Sequence, residues 1–182
     1  MASRSSYWFL ALGGTPLGPL YLTFSFRGLS GLTFGDWRPQ FPQASEPSEN
    51  AMSRDFPPDK VISWMNEALL GLANYFAGQS PDFSSLTLDL QGTPFEHQVW
   101  QELCRIPWGK TISYKELAAR IGNPRATQAV GQANGANPIP LIIPCHRVIK
   151  ADGSLGGFSS GPERKRWLLE HEGVGGGPGT FL

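Results

Sequence analysis

The chain has 182 residues, 40% of them hydrophobic and 16% charged, a length and balance that allow one large or two small cored domains and exclude a disordered chain. Fifteen basic and fifteen acidic residues cancel, so a charged partner has to be met by a local patch rather than by the whole molecule. No apolar run is long enough for a membrane span, and two cysteines (Cys104 and Cys145) with three histidines (His97, His146 and His171) offer neither a disulfide framework nor metal-ligand spacing.

The opening "MASRSSYWFLALGG" superficially suggests a signal peptide, but its apolar part is short and runs into the alternating "GTPLGPLYLTF". An N-terminal strand is the better reading, which makes the protein cytoplasmic, or nuclear if the cell has a nucleus. Alternation broken by glycine turns continues to Gly35 and predicts a small antiparallel sheet. The Pro- and Ser-rich stretch from Asp36 to Lys60 reads as a surface loop. An amphipathic helix follows, carried by Val61, Trp64, Ala68, Leu69, Leu72 and Tyr75/Phe76 and stopped at Gly78. "LTLDL" at 86–90 reads as a final strand, and a domain boundary is expected near residue 90. The domains are then 1–90, 91–174 and a flexible tail, 175–182.

The second half is predicted to be mostly helical. "TPFE" at 93–96 offers Thr93 as N-cap, Pro94 as first helical residue and Glu96 closing a capping box, with Phe95, Val99, Trp100 and Leu103 on one apolar face. "SYKE" at 113–116 repeats the box, with Leu117, Ala118 and Ile121 behind it and Gly122 as a stop. "ATQAVGQANGA" reads as a second short helix opened by Pro124. Two short helices around a glycine-containing turn have the shape of a helix-turn-helix. The second is lined with small residues, which suit either close approach to a surface without strong sequence readout or tight packing on a neighbour. "SGPERKRWLLEHEG" predicts a last helix, with Ser160, Pro162 and Glu163 at its start and Gly173 at its end.

Charge is unevenly spread. Residues 1–90 carry five basic against eight acidic side chains, whereas 91–182 carry ten against seven. Between 105 and 150 the cations are Arg105, Lys110, Lys115, Arg120, Arg125, Arg147 and Lys150, with Glu116 as the only acid. That is an electrostatic footprint for a polyanion, although such stretches are also ordinary solvated faces.

In "NPIPLIIPCHRVI" the prolines at 138, 140 and 144 forbid both helix and central strand, while the apolar residues between them call for burial. A rigid, irregular buried wall is expected, with Cys145 at its end. Cys104, by contrast, reads as a small buried hydrophobe. A nucleophilic cysteine needs thiolate character from a base or a nearby positive charge. His146 is adjacent, but sequence neighbours rarely face each other, so a bridging water is as plausible as direct contact. The histidine needs a carboxylate to orient it, and pattern alone leaves both Glu170 and Glu172 open.

"IPCHRVI" preceded by "NPIPLI" resembles the active-site signature of the O6-alkylguanine-DNA alkyltransferases. The similarity extends through "VWQELCRIPWGKTISYKELAARIGNPRA", "DGSLGGF" and "KRWLLEHEG", covering nearly all of 93–173, and more loosely to "TPLGPLYL" in the N-terminal half. The resemblance implies an α/β two-domain protein: a ribonuclease H-like N-terminal unit, and a mostly helical C-terminal unit with a winged-helix-like helix-turn-helix. It implies a monomer acting on double-stranded DNA, without cofactor, that moves an alkyl group from O6 of guanine, and from O4 of thymine, irreversibly onto Cys145. Some members bind zinc through N-terminal Cys and His, but residues 1–90 hold neither here, so no zinc is expected. His146 would be the base acting through a water, Glu172 its orienter, and Asn137 a brace for the turn before the active-site strand. Tyr114, Val148, Ser159, Pro140 and Phe158 would bind the flipped base. Glu96, Lys115, Asn123, Arg125, Thr127, Gln128, Ala129 and Ala151 would face the DNA. Small residues on the second helix then let it approach the minor groove closely, which suits a protein that scans any sequence.

The chain departs from the family at position 128, where Gln128 stands in place of an arginine that fills the gap left by the flipped base. Arg125, about one turn earlier, could partly substitute. A lesion-binding module that transfers nothing and a cysteine hydrolase using Cys145 and His146 are the alternative functions. The presence of Cys145 argues against the first, and the basic helix-turn-helix against the second.

Overall fold

In this computed structural model residues 7–35 and 57–175 are described, and the predicted surface loop and C-terminal tail lie largely outside them. Three strands, β1 (Trp8–Leu12), β2 (Leu20–Ser25) and β3 (Gly28–Phe34), form an antiparallel meander in the order β1-β2-β3. Trp8 faces Phe24 and Leu20 faces Phe34, with an irregularity between Thr23 and Phe24. Alternation turns Leu20, Leu22 and Phe24 inward, where all three are fully buried. The long helix α1 (Asp59–Phe76) covers the sheet with Val61, Trp64, Ala68, Gly71, Leu72 and Tyr75. A Cβ at Gly71 would stand 2.2 Å from the Phe83 ring, so a larger residue there would have to displace that ring. Ala77 caps the helix, and Gly78 takes the left-handed turn at φ +76°.

The "LTLDL" segment is not a strand. It crosses beside β3 at one residue, where the Leu29 amide donates to Thr87 O (2.9 Å) and the Asp89 amide to Leu29 O (2.8 Å), leaving an isolated bridge to Leu88. Gly28 permits this approach, since a side chain there would meet the Thr87 carbonyl at 2.4 Å. Ser25 Oγ fixes the crossing by donating to Asp89 Oδ2 at 2.6 Å.

Contacts divide the chain into two units, Met1–Leu90 and Gln91–Leu182. The second opens with α2 (Pro94–Leu103), whose capping box is complete: Thr93 Oγ1 accepts from the Glu96 amide while the Glu96 carboxylate accepts from the Thr93 amide. Strand β4 (Ile112–Ser113) leads into α3 (Tyr114–Arg120), and α4 (Thr127–Gly135) follows through the turn 121–126. Ser113 caps α3 through the Glu116 amide, but the box is only half formed because Glu116 turns to Arg120 at 2.8 Å. Helix α4 begins at Thr127 rather than at Pro124, which sits in a turn closed by the Ala126 amide on Asn123 O. Helices α2, α3 and α4 pack on one another, with Trp100 donating its indole N–H to Ala133 O at 2.8 Å.

Beyond α4 the chain is irregular and buried from Ile139 to Cys145. A single 3-10 turn, Cys145–Arg147, is followed by β5 (Val148–Ile149), which pairs in parallel with β4. The last described helix is α5 (Pro162–His171), capped by Gly161 at φ +98° without a side-chain bond. Ser160, expected to help start α5, contributes its carbonyl to Arg164 Nη1 instead. No helix among the described residues is long and apolar enough to cross a membrane.

Candidate active site

The proline-rich wall is built on Asn137. Its amide nitrogen donates to Ile143 O (2.8 Å) and its oxygen accepts from the Ile139 amide (3.0 Å), so one side chain staples both ends of the loop. Leu141, buried in that loop, has φ +78°, a left-handed conformation that costs a β-carbon-bearing residue about 1–2 kcal/mol. The Cys145 amide bonds Ile143 O, and Asn134 Nδ2 reaches Cys145 O at 3.4 Å. The cysteine is thus fixed from both neighbouring segments and is 2% exposed.

Around it the turn Cys145–Arg147 and the end of α5 form one buried charge cluster. His146 Nε2 lies 2.7 Å from Glu172 Oε1, and both side chains are fully buried. Burial works to raise the Glu172 carboxyl, but the bonds from His146 and Arg147 outweigh it and hold it at about 2. A carboxylate only accepts, so the imidazole proton resides on Nε2 and Nδ1 presents a lone pair. That Nδ1 has no partner among the described residues. Burial, against the pull of Glu172, lowers the His146 pKa and keeps the ring neutral and basic. For Cys145, burial pushes the thiol up to about 11, opposed by Asn137 and by the charge of Lys165. The resting group is therefore a thiol, and any nucleophilic use of it would require a base.

The β4–β5 register brings Tyr114 to the same place, since β4 delivers directly into it and β5 continues directly from the active-site turn. Burial and then the nearby Cys145 raise the Tyr114 pKa. Its hydroxyl points to Gly157 O at 3.5 Å, and a Cβ on Gly156 would press on its ring at 3.1 Å. Pro140 and Val148 are buried, Phe158 is half-buried, and Ser159 is exposed on the same segment as Gly156 and Gly157.

Of the DNA-facing candidates, Lys115, Asn123, Arg125, Gln128 and Ala151 are exposed, and Thr127 and Ala129 are half-buried. The Glu96 carboxylate is occupied by its own helix cap. On helix α4, Val130, Ala133 and Asn134 are buried, while Gln128, Gln132 and Gly135 form an exposed stripe at i, i+4 and i+7. Cys104 is exposed, not buried as expected. It caps α2 one residue past Leu103, and the rotation of about 100° per residue carries it off the buried face.

Two cluster members escape the sequence reading. Lys165 is 0% exposed, donates to Val148 O (2.6 Å) and Gly157 O (3.1 Å), and lies 5.9 Å from the Tyr114 ring centre. Burial lowers its pKa to about 8 against the attraction of Cys145. Arg147 grips Glu172 through Nε (2.7 Å) and Nη2 (3.0 Å). Among the described residues no group of three or more His, Cys, Asp or Glu side chains could hold a metal ion.

Glu172 also ties stability to pH. Its folded pKa lies below its ordinary 4.5, so its stabilisation is fully present above about pH 4.5 and is lost as the pH falls towards 2. Urea unfolding should therefore show Glu172→Gln destabilised by roughly 3 kcal/mol at about pH 6, with the gap to the native chain shrinking at about pH 3. A gap that does not change with pH would contradict the assignment.

Two short helices, α3 and α4, stand beside a buried cysteine with a buried histidine–carboxylate pair, which is the arrangement of a candidate nucleophile site. The family model described as 6-O-methylguanine DNA methyltransferase, DNA binding domain, matches residues 94–174. The chain is 42% identical to a methylated-DNA--protein-cysteine methyltransferase of Salmonella typhimurium, over 87% of this chain and 92% of that one. A protein of the same name from Mycobacterium tuberculosis is 44% identical over 87% and 88%. Among solved structures, the M. tuberculosis O6-methylguanine methyltransferase superposes with TM-score 0.71 at 42% identity, covering 91% of this chain and 92% of that one. The M. tuberculosis OGT in complex with DNA gives 0.69 at 40%, covering 92% of each. The chain belongs to the methylated-DNA--protein-cysteine methyltransferase family.

Proposed function

We propose that this chain repairs DNA by transferring an alkyl group from O6 of guanine, and from O4 of thymine, to Cys145, once and irreversibly. The observation that carries this is the His146–Glu172 pair, 2.7 Å apart and fully buried beside a buried cysteine, with a bare imidazole Nδ1. His146 Nδ1 takes the Cys145 proton through a water. The sulfur attacks the alkyl carbon, the S–C bond forms and the C–O bond breaks. Its electron pair returns to the guanine, which takes up a proton donated by Tyr114, and the proton first taken from Cys145 by His146 is given up to solvent as the Tyr114 phenolate regains one. No step regenerates the thiol, so each molecule acts once.

The lesion has to leave the stacked duplex to reach a buried sulfur, at a cost of about a few kcal/mol. Pro140, Val148, Phe158 and Ser159 receive the base. Lys115, Asn123, Thr127, Ala129 and Ala151 follow the DNA with α3 and α4, and Arg125 supplies a phosphate contact. We read residues 1–90 as a ribonuclease H-like domain and 91–174 as a winged-helix-like DNA-binding domain. The three-stranded meander with its helix supports the first, and β4–β5 beside α3 and α4 supports the second. The protein works as a cytoplasmic monomer.

The test is intact-protein mass after incubation with duplex DNA carrying one O6-methylguanine. A stoichiometric gain of one methylene on Cys145, ending after one event, is expected. Unchanged mass with tight lesion binding would replace this reading with a lesion-binding module. Gln128 gives a second check. An arginine at this exposed position adds a cation and reach, so Gln128→Arg should bind DNA more tightly and steepen the salt dependence by about one counterion. Fluorescence anisotropy across a salt series would show it, and an unchanged slope would remove residue 128 from the DNA contact.

A further inference from the structure

Arg147 is the most enclosed arginine in the site and has no part in the chemistry outlined above. Its guanidinium spends three nitrogens on buried partners: Nε on Glu172 Oε2 (2.7 Å), Nη2 on Glu172 Oε1 (3.0 Å) and Nη1 on Ile106 O (2.6 Å). Glu172 Oε2 also receives the Gly109 amide at 3.4 Å. Gly109 permits this with φ +70°, where a Cβ would come within 2.9 Å of the Glu172 carbonyl. Against these donors His146 supplies only one, through Nε2.

We propose that Arg147 is a positioning residue that locates the proton of the His146–Glu172 pair, holding the imidazole neutral with Nδ1 free to act as the base. The reason is charge balance in a buried place. A carboxylate partnered by histidine alone draws a proton onto the ring, because a buried ion pair is better than a lone buried anion. The ring would then be an imidazolium with N–H on both nitrogens, unable to accept the Cys145 proton. With Arg147 in place the carboxylate is already neutralised, and a proton added to His146 would leave the cluster with net positive charge. The groups facing the imidazole act in the same direction or are common to any comparison. Lys165 from α5 adds a second cation, which also works against protonation of His146, as Arg147 does. Cys145 is the reacting group.

This inference rests on the alkyl-transfer reading, and its test separates the two. Single-turnover transfer is followed against pH for the native chain, Arg147→Met and Arg147→Lys. Failure of the native chain to transfer would overturn the reading itself. If the native chain transfers, Arg147→Met is expected to lose more than about tenfold at pH ~6 and to recover to within about twofold at pH ~9, as its acid limb moves upward. Arg147→Lys, which keeps the charge but not the fork, should return the limb most of the way. A pH-independent loss in Arg147→Met, or no loss, would overturn the proposal. Should that variant not fold, nitrogen NMR of His146 in the unaltered protein decides. A neutral ring protonated at Nε2 at pH ~7 is expected, and an imidazolium there would overturn the proposal.

Discussion

Cys145→Ala is expected to gain no mass from O6-methylguanine DNA while still binding that DNA within a few fold of the native affinity. The substitution removes the sulfur and none of the groups proposed to face the duplex: the exposed stripe of α4 and the cations Lys115 and Arg125 lie elsewhere in the chain. It also leaves the His146–Glu172–Arg147 cluster intact, since none of its bonds uses the thiol. Cys145→Ser should be equally silent, because a hydroxyl with the same weak base is a far poorer nucleophile than a thiolate. Intact mass and peptide mapping read the transfer, and anisotropy reads the binding. Residual transfer in Cys145→Ala would direct attention to Cys104, the only other cysteine in the chain. Loss of DNA binding in the same variant would break the separation between the reacting group and the binding surface.

The second large effect is on stability. Trp100 is 2% exposed, anchors α2 against α4 and donates its indole N–H to Ala133 O. Trp100→Ala should cost about 3–5 kcal/mol, a large share of the roughly 5–15 kcal/mol that holds a typical domain. Trp100→Phe keeps most of the packing and loses the hydrogen bond, a cost of about 1 kcal/mol plus the smaller ring. Denaturant unfolding followed by circular dichroism separates them. A Trp100→Ala variant within 1 kcal/mol of the native chain, at the ~1 kcal/mol scale of an ordinary substitution, would show that α4 is held by other contacts.

What the sequence reveals depends on whether the deciding interaction is local. The Thr93–Glu96 box is complete within four residues and could be read directly. The matching Ser113–Glu116 signal was half misleading, because Arg120 one turn on competes for the same carboxylate. The choice between Glu170 and Glu172 was not legible from spacing, since it depends on how α5 is rotated against the active-site turn. Lys165 had a usable signal that apolarity alone discards: it shares the i, i+3, i+4, i+7 stripe with Leu168, Leu169 and Glu172, all of them buried. Arg147 stood in the motif itself, but its partners Glu172 and Ile106 are distant along the chain. The two-residue strands β4 and β5 are too short for any periodicity to show.

Helix α5 supplies Lys165 and, at its C-terminal cap, Glu172, and it is the last of the described elements to leave the ribosome. Cys145, the proposed nucleophile, is therefore synthesised before Glu172, the carboxylate bonded to His146. Until α5 closes against the turn at Cys145–Arg147, His146 and Arg147 lack the Glu172 bonds that hold them in the folded chain. Cys145, the proposed acceptor, therefore gains the carboxylate that orients His146 only once α5 has closed against it.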